Sequence, residues 1–228
     1  SDSIVVFLNA ASGAAGKQAI AEEMADEFAK FGATVEVVLV KPGCDLCEEV
    51  RRAVKEGARV AVAAGGDGTV NAVASVVAGT ETALGVLPLG TLNHFAKDLG
   101  IPLDLGQAVE AIVRGVLRRV DVGEVNGRMF VNNSSVGVYP TIVRKREAQQ
   151  RLGKSKWSAF AHAMLSVVGR YPLFRVGLLI DGKAITRKTS LVFVGNNEYE
   201  LHGLQIGKRT RLDAGMLAVY LPHGVGRW

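Results

Sequence analysis

The sequence has little cysteine, little proline, few aromatic residues and no long apolar run. Its 228 residues include only 2 Cys and 6 Pro, and aromatic residues make up 6%. Two cysteines are too few for a small fold stabilised by several disulfide bonds, and such a low cysteine content is typical of proteins in a reducing cytosol. No uncharged stretch approaches the ~18 residues that a membrane span needs, and the first residues lack a basic region with a cleavage site. We therefore expect a cytoplasmic protein with neither a transmembrane helix nor a signal peptide.

The residues that are present predict a folded chain with unevenly placed charge. Hydrophobic residues make up 48% of the sequence, which excludes a disordered chain and a collagen repeat. Residues 1–139 carry 12 basic and 17 acidic side chains, whereas residues 140–228 carry 15 basic and 5 acidic ones. The second part therefore favours an anionic partner, either a membrane surface or nucleic acid, with a merely solvated basic face as the alternative.

The first half of the chain alternates short apolar strands with amphipathic helices. Strands are predicted at 4–8, 35–40, 60–64 and 83–87, and helices at 19–31, 46–54, 70–77 and 105–113. Strands that are apolar throughout and alternate with helices indicate a parallel sheet covered on both faces.

The pattern changes near residue 117. Asn126-Gly127 and Asp181-Gly182 each separate two short strand-like runs, which is the strongest short-range signal for a β-hairpin. Further strands are predicted at 191–194 and 216–221, and a helix at 157–168. We therefore predict an α/β domain over 1–117 and an antiparallel β-rich domain over 118–228.

The residues most clearly suited to chemistry lie between the third strand and the third helix. Residues 65–69 read Gly-Gly-Asp-Gly-Thr. Three glycines allow close approach of a ligand and positive φ angles, and the N-terminus of the following helix suits phosphate. Asp67 fits there if it holds Mg²⁺ or receives a proton. The alternative is a tight turn in which Asp67 caps the helix.

Two further loops follow the first and fourth strands. They read Asn-Ala-Ala-Ser-Gly at 9–13 and Pro-Leu-Gly-Thr-Leu-Asn-His-Phe-Ala at 88–96. Ligands of open α/β sheets bind at the carboxyl ends of the strands, so we expect the three loops to converge. No Gly-Lys-Ser/Thr follows a glycine loop, which excludes a P-loop, and the glycine spacing does not fit the Rossmann fingerprint.

Residues 65–71 and 88–96 together resemble the catalytic domain of diacylglycerol kinases and related bacterial lipid kinases, a group that includes sphingosine and ceramide kinases. The resemblance implies an NAD kinase-like parallel-sheet domain followed by an antiparallel β-sandwich domain. It also implies transfer of the ATP γ-phosphoryl group to a lipid hydroxyl such as that of diacylglycerol, with Mg²⁺ as the metal. NAD kinases share the Gly-Gly-Asp-Gly-Thr loop, so an NAD kinase-type enzyme is one alternative, and a catalytically inactive nucleotide- or lipid-binding module is another.

The resemblance assigns roles to individual positions. It implies that Asp67 is the catalytic residue and that Asp213 lies in a structural Mg²⁺ loop, although Ala214 stands where the family has an acidic residue. The residues implied to bind the nucleotide are Asn9, Ser12, Gly13, Gly65, Gly66, Asp67, Gly68, Thr69, Asn71, Gly90, Thr91 and Asn93.

The sequence departs from the family pattern at two other places. His94 stands where many members have Asp. Family members also continue past the position of Trp228 into a segment with the proposed general base. From this we expect a shortened second domain and weak or no lipid kinase activity in the 228-residue chain.

A basic stretch precedes the predicted helix at 157–168. It contains Arg144, Lys145 and Arg146, with further cations at 151, 154 and 156. Cations followed by Trp157 and an apolar face are typical of an interfacial helix on anionic lipid. We therefore expect peripheral membrane association and no nucleic acid, with packing against the first domain as the alternative, and a homodimer stays open.

Overall fold

The computed structural model describes residues 3–9, 14–41, 43–137, 173–202 and 205–221. The chain forms two compact units. The first unit comprises Ser1–Asn132 and Asn196–Met216, and the second comprises Asn133–Gly195 and Leu217–Trp228. The predicted helix at 157–168 and the basic stretch at 144–156 lie outside the described residues.

The first unit is built on a parallel sheet of four strands. They are β1 (Ile4–Leu8), β2 (Val35–Leu39), β3 (Val60–Gly65) and β4 (Ala83–Pro88), in the spatial order β2-β1-β3-β4. The register pairs Ile4 with both Val35 and Val60, and Val60 in turn with Ala83. The four predicted strands are thus confirmed to within a residue or two at their ends.

Helices cover both faces of this sheet. They are α1 (Ala14–Lys30), α2 (Leu46–Lys55), α3 (Asp67–Val77), α4 (His94–Leu99) and α5 (Leu105–Arg114). Side chains alternate along each strand, so Val5 and Phe7 pack in one core with α2, α3 and α4. Ile4, Val6 and Leu8 point to the opposite face and pack with α1 and α5. The expected α/β class, with two covered faces, is confirmed.

Helix α4 lies within a segment that the sequence predicts to be a loop. Asn93 precedes it with a left-handed backbone (φ 49°), and Gly100 follows it with φ 72°. The helix has only six residues, too few for a helical period to stand out in the sequence.

Both predicted hairpin turns are confirmed. Strands β5 (Gly123–Val125) and β6 (Arg128–Phe130) flank Asn126-Gly127, and strands β8 (Phe174–Ile180) and β9 (Lys183–Thr189) flank Asp181-Gly182. Both central residues of each turn have positive φ, between 48° and 77°. This geometry matches the right-handed twist of the paired strands.

The first unit also contains a hairpin that comes from late in the sequence. Strand β11 (Tyr199–His202) pairs antiparallel with β12 (Gln205–Arg209). Residues 196–216 therefore belong to the same unit as the parallel sheet, as do residues 118–132. Asn71 Nδ2 on α3 donates to the Met129 carbonyl, and Arg209 Nε donates to Asp98 Oδ2 on α4, so both segments are bonded to the α/β core. The domain boundary at 117/118 stays a prediction.

The second unit is antiparallel where the strand pairing is defined. Strand β10 (Leu191–Asn196) lies between β7 (Asn133–Gly137) and β13 (Leu217–Tyr220), and β10 pairs antiparallel with β7. Phe193 and Tyr220 pack edge to face, with ring centroids 5.8 Å apart. Strands β8 and β9 form a separate hairpin within the same unit.

Candidate functional site

The ends of β1, β3 and β4 converge as the sequence predicts. The backbone N–H of Asn9 donates to the carbonyl of Ala64, and its side-chain Nδ2 donates to Thr69 Oγ1 at 3.1 Å. The backbone N–H of Leu89 donates to the carbonyl of Gly65 at 3.2 Å. Residues from the loops after three strands therefore meet around the N-terminus of α3.

Two of the glycines predicted to bind the nucleotide are required by packing within the protein. A Cβ at Gly65 would lie 2.5 Å from Thr69 Oγ1, and a Cβ at Gly90 would collide with the backbone of Gly66 and lie 2.7 Å from Asn93 Oδ1. The glycines allow positive φ, but none of Gly65, Gly66, Gly68 and Gly90 lies in that region. The positive φ falls on Asn93 instead.

Gly68 differs from the other glycines of the loop. It lies in the first turn of α3, and apart from its chain neighbours and the nearby backbone of the helix itself, no described atom comes within 4 Å of the place where a Cβ would be. Glycine in a helix costs about 0.5–1 kcal/mol relative to alanine. The described residues do not require a glycine at position 68 for their packing. Close approach of a ligand to the first turn of α3 would require one.

The carboxylate of Asp67 faces another helix rather than capping its own. Gly66 is the N-cap of α3, and no described side chain caps that helix. Asp67 Oδ2 accepts a hydrogen bond from the His94 N–H, and Oδ1 accepts one from the Phe95 N–H, both at 3.2 Å. Asp67 therefore caps α4 across the site and leaves the N-terminus of α3 without a side-chain cap.

Two predicted nucleotide-binding residues use their side chains within the protein. Asn93, which is 7% exposed, accepts from Gly90 N–H and donates to the carbonyls of Pro88 and Gly90. Asn71 accepts from Val131 N–H at 3.0 Å and donates to the Met129 carbonyl at 3.2 Å. These amides hold the loop after β4 and the segment after β6 in place.

The remaining predicted residues divide between described and undescribed parts. Thr91 is exposed beside the site, and Thr69 is 6% exposed with its hydroxyl accepting from Asn9. Ser12 and Gly13 lie outside the described residues.

Two site residues were missed by the sequence reasoning. Asn132 Nδ2 donates to Asp67 Oδ1 at 3.2 Å, and Asn132 Oδ1 accepts from Arg209 Nη2 at 2.8 Å. Asn132 lies 65 positions from Asp67 in the sequence, and β12 carries Arg209. Neither residue lies in a glycine-rich loop or at a strand end of the parallel sheet, so no local signal pointed to them.

The sequence profile described as "Diacylglycerol kinase catalytic domain" matches residues 3–125, more than half of the chain. The chain belongs to this family. The matched region contains the whole parallel sheet and the His94 and Phe95 groups that bond to the Asp67 carboxylate, whereas Asn132 lies outside it.

Curated relatives support this membership. A "Diacylglycerol kinase" of Staphylococcus saprophyticus is 38% identical over 95 residues, which cover 41% of this chain and 31% of the relative. A protein of Pseudomonas syringae pv. tomato named "Probable lipid kinase YegS-like" is 39% identical over 127 residues, covering 54% and 41% respectively. The matches thus span between about a third and two fifths of these relatives.

The fold likeness extends further along the chain than the sequence likeness. A crystal structure of a diacylglycerol kinase from Bacillus anthracis has a TM-score of 0.71 and covers 99% of this chain and 75% of its own. Its sequence identity is 21%, so the comparison concerns the fold. It confirms the expected fold class.

The predicted metal loop around Asp213 is held by protein groups. Asp213 Oδ1 accepts from Arg211 Nε at 3.2 Å, and the Asp213 side chain is 52% exposed. The N–H of Gly215 donates to Asp121 Oδ2 at 2.6 Å, and Asn197 Nδ2 donates to the same oxygen. The role of Asp213 as a metal ligand stays a prediction.

The described residues contain neither a cluster of metal-binding side chains nor a membrane-spanning helix. No group of three or more His, Cys, Asp or Glu side chains in the described ranges could hold a metal ion. No described helix is both long and apolar enough to cross a membrane.

Proposed function

We propose that this chain binds Mg-ATP at the N-terminus of α3 and transfers the γ-phosphoryl group to a lipid hydroxyl such as that of diacylglycerol. The observation that carries the proposal is the arrangement at that helix. No described side chain caps α3, Gly68 leaves open space in the first turn, and the Asp67 carboxylate lies beside them. The names of the relatives, diacylglycerol kinase and lipid kinase, give the acceptor class.

Each part of this arrangement has a role in phosphoryl transfer. Backbone N–H groups and the helix dipole at the α3 N-terminus would bind phosphate oxygens. Asp67 is the residue suited to hold Mg²⁺, since carboxylate oxygens are the ligands that this ion prefers. When bound, Mg²⁺ neutralises the phosphate charge, and the reaction then depends chiefly on positioning. Asn9, Thr69, Asn71 and Asn93 fix the loops that present these groups.

Nucleotide binding tests the proposal directly. Replacing the carboxylate with an amide of the same shape, Asp67→Asn, removes the charge but keeps an oxygen that can accept from α4. We expect the Kd of Mg-ATP, measured by calorimetry on the 228-residue chain, to rise at least about tenfold, equivalent to about 1.4 kcal/mol. Thr82→Val is the control, because Thr82 binds the Ala58 carbonyl at the opposite end of the sheet. Unchanged Mg-ATP affinity in Asp67→Asn would contradict the proposed site.

The acceptor is tested separately, by phosphate transfer from labelled ATP to diacylglycerol in mixed micelles or to NAD. Transfer to diacylglycerol supports the lipid kinase, and transfer to NAD alone would replace it with an NAD kinase-type enzyme. Binding of Mg-ATP without transfer to either acceptor indicates the inactive binding module for this chain.

We further propose that the second unit carries a face for anionic lipid on the β8–β9 hairpin. Arg175 and Lys188 are direct cross-strand partners and are both exposed, and Leu179 and Ala184 form another exposed pair on the same face. Leu179 is 76% exposed. Like charges directly opposite each other destabilise a hairpin. An anionic partner would therefore reduce the electrostatic repulsion between Arg175 and Lys188.

Vesicle binding tests this face. We expect Arg175→Gln/Lys188→Gln to weaken sedimentation with phosphatidylglycerol-containing vesicles by about 2 kcal/mol, roughly 30-fold, because each cation near such a surface contributes about 1 kcal/mol. Arg51→Gln/Arg52→Gln on α2 changes the charge equally in the first unit and serves as the control.

Neutralising Arg144, Lys145 and Arg146 tests the predicted basic stretch in parallel. Loss of binding only in that last variant would contradict the role of the hairpin.

A further inference from the structure

Among the described residues, Arg209 is the most deeply buried charged residue close to the candidate site. Its side chain is fully buried, and its partner Asp98 on α4 is 5% exposed. The guanidinium lies 6.0 Å from the ring centroid of Phe95 and 5.3 Å from that of Tyr199. A charge in this position is costly to bury unless nearly all of its donors are bonded.

The donors of Arg209 are used on four different groups. Nε donates to Asp98 Oδ2 at 2.8 Å, and Nη1 donates to the carbonyls of Val131 and Asn196. Nη2 donates to Asn132 Oδ1 at 2.8 Å. Only a planar guanidinium reaches acceptors in so many directions from one fixed position.

The contact with Asn132 determines which way its amide points. A guanidinium can only donate, so the Asn132 atom facing Arg209 has to be the oxygen. The amino group then lies at the opposite end of the amide, where Nδ2 donates to Asp67 Oδ1 at 3.2 Å. A flipped amide would place its amino group against the guanidinium and its oxygen against the carboxylate, and both contacts would be repulsive.

The Asn132 backbone is held as well. Its carbonyl accepts from the Tyr199 hydroxyl at 3.0 Å and from the Asn196 N–H at 2.9 Å. The segment 196–216 contains all three residues that donate to Asn132, namely Asn196, Tyr199 and Arg209. This segment therefore fixes both the backbone and the side chain of Asn132.

We propose that Arg209 is a positioning residue for Asp67, acting through the Asn132 amide. Arg209 orients the amide so that Nδ2 donates to one carboxylate oxygen, which restrains the rotation of the Asp67 side chain. The carboxylate then stays aligned for a metal-bound nucleotide. This inference rests on the proposed function, since it assigns Asp67 to the metal.

The test compares binding of ATP with and without Mg²⁺. Arg209→Lys keeps a cation beside Asp98 but loses the fork that orients Asn132. We expect it to raise the Kd of Mg-ATP about tenfold, at the lower end of the 10- to 100-fold losses found when groups that orient a metal-binding residue are removed. The Kd of ATP measured in excess EDTA should stay near the wild-type value. Thermal unfolding of each variant, with Thr82→Val as the control, identifies changes that come from lost stability alone.

A double-mutant cycle shows whether the effect runs through Asn132. Asn132→Ala should reproduce the loss of Mg-ATP affinity, and adding Arg209→Lys to it should produce no further loss. If Arg209→Lys fails to fold, the Kd of Mg-ATP measured for Asn132→Ala is the deciding test of the inference. Wild-type Mg-ATP affinity in Asn132→Ala overturns the inference.

Other outcomes separate this inference from the proposed function. If Asp67→Asn weakens Mg-ATP binding while folded Arg209→Lys does not, the positioning role is overturned and the proposed function stands. Equal weakening of both ATP forms by Arg209→Lys, or undiminished weakening in the Asn132→Ala background, also overturns the positioning role. If Asp67→Asn itself leaves Mg-ATP binding unchanged, the proposed function fails.

Discussion

At the scale of single residues, the glycines around α3 serve different physical purposes. Gly65 and Gly90 leave room for neighbouring protein atoms, namely Thr69 Oγ1 and the Gly66 backbone. Gly68 leaves room that no described residue fills. The sequence alone predicted one shared purpose, ligand approach, because glycines look alike until their neighbours are known.

Substitution by alanine should distinguish these purposes. In Gly90→Ala the new Cβ meets backbone that cannot move aside cheaply, so we expect the free energy of unfolding to fall by about 1–3 kcal/mol. Urea denaturation measures this change. Destabilisation below about 0.5 kcal/mol, within the range of ordinary surface substitutions, would contradict the packing role of Gly90.

Gly68→Ala is the matched comparison. Alanine is the better helix former, so we expect the free energy of unfolding to rise by about 0.5–1 kcal/mol. Mg-ATP affinity should nevertheless fall, since the added methyl group occupies the open space in the first turn of α3. Unchanged affinity in this variant would show that the ligand does not approach Gly68 closely.

At the scale of elements, helix ends show how much capping side chains contribute. Helix α2 begins after Asp45, whose carboxylate accepts from the N–H groups of Cys47 and Glu48 at 2.9 and 3.4 Å. Helix α4 begins after Asn93 and is capped by Asp67 from the first turn of α3. The first cap is encoded locally and was predictable in kind, whereas the second exists only in the folded chain.

The local cap gives a prediction for α2. Asp45→Ala should lower the free energy of unfolding by about 1 kcal/mol, because two N–H groups of the first turn lose their acceptor. Asp45→Asn retains a side-chain oxygen and should lose much less. Urea denaturation of the three proteins is the measurement, and an equal loss in both variants would contradict the capping role.

At the scale of the whole molecule, the first unit is built from two parts of the sequence that are separated by residues of the second unit. Residues 196–216 join Ser1–Asn132 there, and the buried ion pair between Arg209 and Asp98 links positions 111 residues apart. Removing either partner alone would leave an uncompensated buried charge, so we expect either single loss to destabilise this arrangement. The boundary predicted at 117/118 rests on the change in local pattern alone, which holds no information about such long-range contacts, and it stays a prediction.

The sequence by itself determined the parallel sheet, its two covered faces, the two hairpin turns and the position of the Gly-Gly-Asp-Gly-Thr loop. These features depend on local periods, apolar runs and turn residues, which are readable over a few positions. Helix α4, the pairing of β11 with β12 and the surroundings of Asp67 were decided only by the tertiary structure. The His94, Phe95 and Asn132 groups that bind the Asp67 carboxylate come from two distant segments. Only packing brings them together, because a hydrogen bond between distant segments produces no periodic pattern of residues in the sequence of either segment.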